Sequence, residues 1–413
     1  MSAPTRIRYP KLRNIDARPI SHEGRPVLLL RDPLQLTDKV LLVPPLLASI
    51  LSLCDGTRED ARHLSIASSL ISGYRIDPAA IEELLRALDE AFLLESERFV
   101  EAREQALSHY RNATMRTPAL AGKSYPADGG ELRTLLDDYI EKACDGRGVV
   151  KPSLTAGSGL VSPHIDYARG GPVYAGVWKP AEEMMKAADI VIMLGTDHYG
   201  GARPLTLTRQ NYATPFGVLP TALDVVDEVA ASIGQDDAFA GELNHRGEHS
   251  IELAAVWLHY IRDGEPVKMV PILCGSFGSF VRGDADIDTD PALTRLVDAL
   301  IRTTEGQRVA IVAAGDLAHV GPAFGGAPVG LAGRAELKEA DDALIERMCA
   351  GDARGFFESI KAVEDRNNVC GVSPIYLALR MLGGVTGERL AYDLCPADDA
   401  GTSFVSVCGV LFH

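Results

Sequence analysis

Three stretches of this 413-residue chain, DIVIML (residues 189–194), VKMVPIL (267–273) and RVAIVAA (308–314), are continuous apolar runs of β-branched character. A strand without polar alternation must be covered on both faces, which a parallel or mixed sheet between helix layers provides. Helix-like stretches lie between these runs: AEEMMKAA, HSIELAAVWLHYIRDG, PALTRLVDALIRTT and KEADDALIERMCAG. The pattern predicts a three-layer αβα sandwich over residues 113–413, large enough for a substantial core.

Residues 1–112 read differently. RPVLLLRDP and KVLLVPP are short strands, and LLASILSLCDG, closed by Gly56, and REDARHLSIASSLISG, ended by Gly73, are helices. DPAAIEELLRALDEAFLLES is the clearest helix, with Asp77 at the N-cap, Pro78 at its first position, and Ile81, Leu84, Leu85, Leu88 and Phe92 at helical spacing. Short strands with three small helices suggest a separate α+β module of winged-helix type. A charged helix, ERFVEAREQALSHYRNAT, leads out of it.

In open α/β sheets, ligands bind beyond the carboxyl ends of the strands. LVSP ends at His164. DIVIML runs into GTDHYG and His198. RVAIVAA runs into GDLAHVG, with Asp316 and His319. A lone histidine at a strand end is ordinarily a hydrogen-bonded core or loop residue. Here three strands deliver an imidazole to one edge, in a chain with only ten histidines. Imidazole suits zinc, copper and iron. NHRGEHSIE puts His249 at the start of a predicted amphipathic helix, and RNNVCGVSP puts Cys370 in a polar loop before the helix PIYLALRML. A cysteine in such a loop is a soft ligand, a nucleophile or a structural residue.

In order, AGKSYPAD, PHIDYARGGPVYA, VIMLGTDHYG, TPFGVLPTALDV, EHSIELAAVWLHYI, VKMVPIL, AAGDLAHVG and NNVCGVSPIYLALRML resemble the Memo family, and its AmmeMemoRadiSam system protein B branch, over residues 116–413. The resemblance implies a fold like that of the class III extradiol dioxygenases, which hold non-haem iron with two histidines and a carboxylate. By motif it makes His164 and His198 the metal histidines, places Cys370 in the third-ligand region, and sets Asp316, His319 and His249 among the polar residues of the cleft. Ile165 and Asp166 stand where the family has a small pair, Asp197 where it has asparagine, and GKSYP where it has GSWYP. These departures leave the metal open, while a thiolate ligand favours copper or ferrous iron over magnesium. In the first segment, LLVPPLLASILSLCDGTR and LLRALDEAFLLES resemble the PqqD-like peptide-binding domains found beside radical enzymes. Together with the AmmeMemoRadiSam resemblance, this implies radical SAM and AMMECR-type partner proteins.

The expected function is a metal-dependent oxidoreductase or dioxygenase-like enzyme acting on a small molecule or peptide. His164, His198 and Cys370 are the expected ligands of copper or ferrous iron, with zinc less favoured. His319 is the expected acid/base or oxyanion group, oriented by Asp316, and His249 the substrate contact. The alternatives are a peptide- or metal-binding protein without turnover, and a metal-dependent hydrolase. A formal net charge of −16 disfavours nucleic acid and anionic lipid. The chain has no apolar stretch of transmembrane length and no signal-peptide core, and its seven cysteines include no C-x-x-C pair, which points to the cytoplasm. DADIDTDP (284–291) starts like a calcium loop, but Thr289 and Arg295 replace the required glycine and glutamate, so it reads as an acidic surface loop. GPAFGGAPVGLAG lacks a nucleotide-binding glycine pattern and is expected to cover the cleft as a lid. No G-x-S-x-G elbow occurs.

Overall fold

The structure is a computed structural model that describes residues 7–144, 158–201 and 203–413. The chain divides into two compact units, Met1–Asn112 and Ala113–His413.

The first unit carries a three-stranded antiparallel sheet in the order β1 (Asp16–His22), β2 (Arg25–Arg31), β3 (Leu41–Val43). Its helices span Pro45–Leu51, Ala61–Ser72, Pro78–Glu90 and Glu97–Asn112. Asp60 and Asp77 cap the second and third by accepting backbone N–H bonds. Leu30, Ile50, Leu64, Ile81, Leu85 and Leu88 form part of a core that belongs to this unit alone. One expectation is corrected here, and one strand is added. The first helix stops at Leu51, well before Gly56, because the chain turns to bury Leu53 and Cys54. DARPISH, with its internal proline, is a strand: it is the edge partner of β2, where a missing N–H is tolerated.

The second unit is built on β4 (Gly159–Ser162), β5 (Ile190–Thr196), β6 (Leu205–Leu207), a β7 (Tyr212–Thr214) to β8 (Gly217–Leu219) hairpin, β9 (Lys268–Cys274), β10 (Val309–Ala314), β11 (His319–Val320), β12 (Gly387–Pro396) and β13 (Phe404–Phe412). The main sheet runs β11-β13-β4-β10-β5-β9-β6, with β12 also paired to β13. Its central strands β4, β10, β5 and β9 are parallel, and antiparallel strands flank them. Alternate residues of β5 enter different cores. Ile190, Ile192 and Leu194 pack with helices Leu223–Ile233, Pro291–Thr303 and Val372–Leu382, while Val191 and Met193 pack with helices Tyr167–Trp178 and Ser250–Ile261. The unit is therefore the three-layer αβα sandwich that the unbroken apolar runs require. Helix Ser250–Ile261 departs from expectation: it is buried on every side rather than amphipathic, because the β7–β8 hairpin also packs against it. Residues 284–291 form an acidic turn whose Asp290 caps helix Pro291–Thr303. The end of GPAFGGAPVGLAG is already helical, since helix Leu331–Cys349 starts inside it. No helix among the described residues is long and apolar enough to cross a membrane.

Candidate metal centre

Strands β4, β10 and β5 are parallel neighbours with Ser162, Ala314 and Gly195 in register. Their carboxyl ends therefore open on one edge, and His164, Asp316 and His198 each follow the end of a strand by two residues. Two close approaches fix what meets them. A Cβ on Gly195 would lie 2.6 Å from Ile251 Cγ1 and 2.7 Å from Ser250 Oγ, so only glycine lets the start of helix Ser250–Ile261 reach β5. A Cβ on Gly371 would lie 2.6 Å from the Asp316 carbonyl oxygen, which accepts the Gly371 N–H at 2.9 Å. That contact docks the Cys370 loop on the Asp316 loop.

His164 is 1% exposed. Its Nδ1 is 3.0 Å from the Ala314 carbonyl oxygen, an acceptor only, so the ring N–H sits on Nδ1 and Nε2 keeps its lone pair. Burial, reinforced by His198 and His249, holds its pKa well below the usual histidine range, as a neutral ligand needs. Cys370 Sγ lies 3.2 Å from that Nε2. Burial raises the Cys370 thiol, with His198 opposing. Asp316 was expected to orient His319. Instead its Oδ1 accepts the backbone N–H groups of His164 at 2.8 Å and Ile165 at 3.3 Å, which braces the first histidine. The His319 ring is held through Nδ1 by the carbonyl oxygens of Leu317 and Asn368, both at 3.2 Å, leaving its Nε2 free to accept. Burial lowers the His319 pKa and raises that of Asp316.

Glu248 is the residue that reading the sequence missed, although it directly precedes His249. It is 1% exposed. Its carboxylate lies 3.0 and 3.1 Å from His198 Nδ1 and 3.0 Å from His249 Nδ1. It also accepts the backbone N–H groups of His198, His249 and Ser250 at 3.0, 2.7 and 3.1 Å. Burial works against this anion, but His198 and His249 outweigh it and hold its pKa well below the carboxylate range. Burial likewise opposes protonation of His198, and Glu248 and Cys370 together more than reverse that. The two imidazoles stack with centroids 4.7 Å apart, and His164 meets both edge-on at 5.0 and 5.3 Å.

Ligand atoms of His164, His198 and Cys370 all lie within 4.8 Å of one another, as do those of His198, Glu248 and His249, and those of Asp316, His319 and Cys370. The first set fits a transition metal by its donor chemistry. It offers two imidazoles and a thiol, and each imidazole is held at Nδ1 by a carbonyl or a carboxylate, the outer-shell arrangement typical of metal-bound histidine. Of the two additional acids, Asp166 caps helix Tyr167–Trp178 and is paired with Arg169. Asp197 accepts from Asn244 beside His198, and burial pushes its pKa up to about 6.

A family model described as Memo-like protein matches residues 116–408. A MEMO1 family protein of Aquifex aeolicus is 26% identical over 411 residues, covering 98% of this chain and 100% of its own. One from Methanosarcina acetivorans is 30% identical over 282 residues, 67% of this chain and 91% of its own. One from Thermococcus kodakarensis is 31% identical over 293 residues, 67% of this chain and 92% of its own.

Proposed function

The chain belongs to the Memo family, and from that premise we propose that residues 113–413 form a metal-dependent oxidoreductase of dioxygenase-like type. His164, His198 and Cys370 would hold copper or ferrous iron. The observation that carries this reading is the convergence of the three donors within 4.8 Å, with both imidazoles braced at Nδ1. A bound metal would supply redox and Lewis-acid chemistry. The chain's own residues then divide the work. Asp316 and Glu248 orient the ligand histidines, the free Nε2 of His319 takes or gives a proton, and His249 lines the space beside the ligands on the His319 side. The six cysteines described are unpaired thiols, which supports a reducing, cytoplasmic setting.

The first unit would recruit a peptide or a radical SAM or AMMECR-type partner. Its separate core supports an independent docking role, and a chain lacking residues 1–112 is expected to keep its metal content. The enzyme reading is tested by metal analysis and oxygen uptake on protein purified without oxygen. Copper or iron is expected, lost in His164→Ala and His198→Ala and kept in His22→Ala and His109→Ala, whose parents lie in the first unit. Zinc without oxygen uptake would favour a hydrolase, and equal metal in all four variants would remove the site from these strands.

A further inference from the structure

The candidate ligands stand between two cavities. A space of about 280 Å³ lies on the side of His164, His249, Asp316 and His319. A larger one of about 540 Å³ lies on the side of Cys370, and His198 lines both. The proton-transfer and ligand groups share the lining of the smaller space with the apolar Leu120, Leu253, Phe324 and Val405. The larger falls in the range of small-molecule sites, about 300–1,000 Å³. Its apolar wall is Phe277, Val281, Val369 and Val372. Its charged groups are the carboxylates of Asp197, Glu364 and Asp365, against one guanidinium, Arg282. That guanidinium is already engaged, with Nε and Nη2 each 2.9 Å from Asp284 Oδ2. His198 adds no net positive charge, because buried Glu248 answers it. The two outer acids sit on strained backbone just before Cys370. Glu364, Asp365 and Asn368 have φ of 52°, 49° and 50°, a region side chains rarely adopt and one that concentrates at functional sites.

We propose that the larger cavity binds an organic cation, an amine with an apolar body, and presents it to the Cys370–His198 face of the centre. The apolar wall takes the body, and Asp365 and Glu364 face the ammonium. Anionic substrates are rejected by the same carboxylates, in a chain of formal net charge −16. This deepens the proposed function by naming a substrate class for its site, and it rests on that reading only for what happens after binding.

Phenethylamine, phenylacetate and phenethyl alcohol are the probes, titrated calorimetrically into the full-length chain with and without copper. The amine is expected to bind at least about tenfold tighter than the acid. Asp365→Asn keeps the oxygen that caps the Val369 N–H at 2.8 Å, and Glu364→Gln keeps size. Each is expected to weaken the amine by about threefold to tenfold and to leave the alcohol unchanged. Val281→Trp fills the cavity and should abolish binding of both. If that variant fails to fold, the two charge variants decide alone. Equal or tighter binding of phenylacetate to the metal-free chain, or amine binding indifferent to both charge variants, overturns the proposal. Amine binding without metal uptake would uphold this pocket and sink the metal reading. Metal uptake at His164, His198 and Cys370 without amine binding would do the reverse.

Discussion

Both carboxylate oxygens of Glu248 reach Nδ1 of His198, at 3.0 and 3.1 Å, across 50 residues of sequence. The same carboxylate holds His249 and three backbone N–H groups, so one buried anion sets the tautomer and orientation of two imidazoles.

Glu248→Gln removes the charge and turns a pure acceptor into a half-donor. One amide N–H must then face an imidazole N–H or a backbone N–H. Metal affinity, measured by competition with a chelator, is expected to fall about 10–100-fold, the usual loss for an outer-shell partner. Circular dichroism should stay at the parent's. Unchanged affinity would show that Glu248 serves the fold and not the centre.

The loop carrying Glu248 is itself anchored by a buried ion pair. Arg116 Nη2 lies 2.6 Å from Glu252, with Arg116 and Glu252 each 1% exposed. The same guanidinium donates to the carbonyl oxygens of His245 at 2.6 Å and Glu248 at 2.9 Å. Arg116→Met strands the Glu252 charge in the interior, although Glu252 keeps N–H bonds from Ala119 and Leu120 at 2.8 Å. A loss of about 3–5 kcal/mol is expected in urea unfolding, the cost of breaking a buried pair from one side. A change under about 1 kcal/mol would mean that the remaining donors satisfy Glu252 unaided.

The reach of sequence reading is clear from this contrast. Unbroken apolar runs revealed the central strands because burial on both faces removes alternation. His164, His198 and Asp316 were visible because a parallel strand fixes the edge at which its carboxyl end emerges. Glu248 and Arg116 were not visible: each works only through residues brought close by folding, and neither belongs to a local period. The β12–β13 hairpin escaped notice for a related reason. β12 is only partly buried along most of its length, and its place is set by pairing with β13, which in turn pairs with distant β4. Helix Ser250–Ile261 misled because its polar residues point at neighbours rather than water: Ser250 bonds the Thr196 carbonyl at 2.7 Å and His259 bonds Thr214 at 2.8 Å.

Asp341 gives the second unit a stability that depends on pH. It is fully buried, accepts the Tyr392 hydroxyl at 2.9 Å through Oδ2, and has no partner for Oδ1. Burial raises its pKa from 3.8 to about 6. Its folded pKa is above the unfolded one, so its contribution is full below pH 3.8 and is lost as pH rises through about 6. Asp341→Asn keeps an acceptor for Tyr392 and cannot ionise. It is expected to gain about 2–3 kcal/mol on the parent between acid and neutral pH. Parallel stability–pH curves for the two chains would remove Asp341 from the balance.

Cys370 decides the character of the centre. A thiol bound to metal must give up its proton, since the thiolate is the ligand form. Metal should therefore shield Cys370 from iodoacetamide, and chelation should expose it. With Cu(II), a thiolate bond should add intense visible charge-transfer absorption that Cys370→Ser abolishes. The serine variant should keep the fold, because oxygen and sulfur differ modestly in size, yet bind a soft metal more weakly. Cys274 and Cys408 are the internal controls: both are fully buried, and burial pushes their thiols far up, so neither should react in the folded chain. Equal alkylation of Cys370 with and without metal, together with undiminished binding by the serine variant, would take sulfur out of the ligand set. The convergent His198, Glu248 and His249 would then be the better site. Its oxygen donor suits a harder ion, and hydrolysis would displace redox chemistry as the function to test.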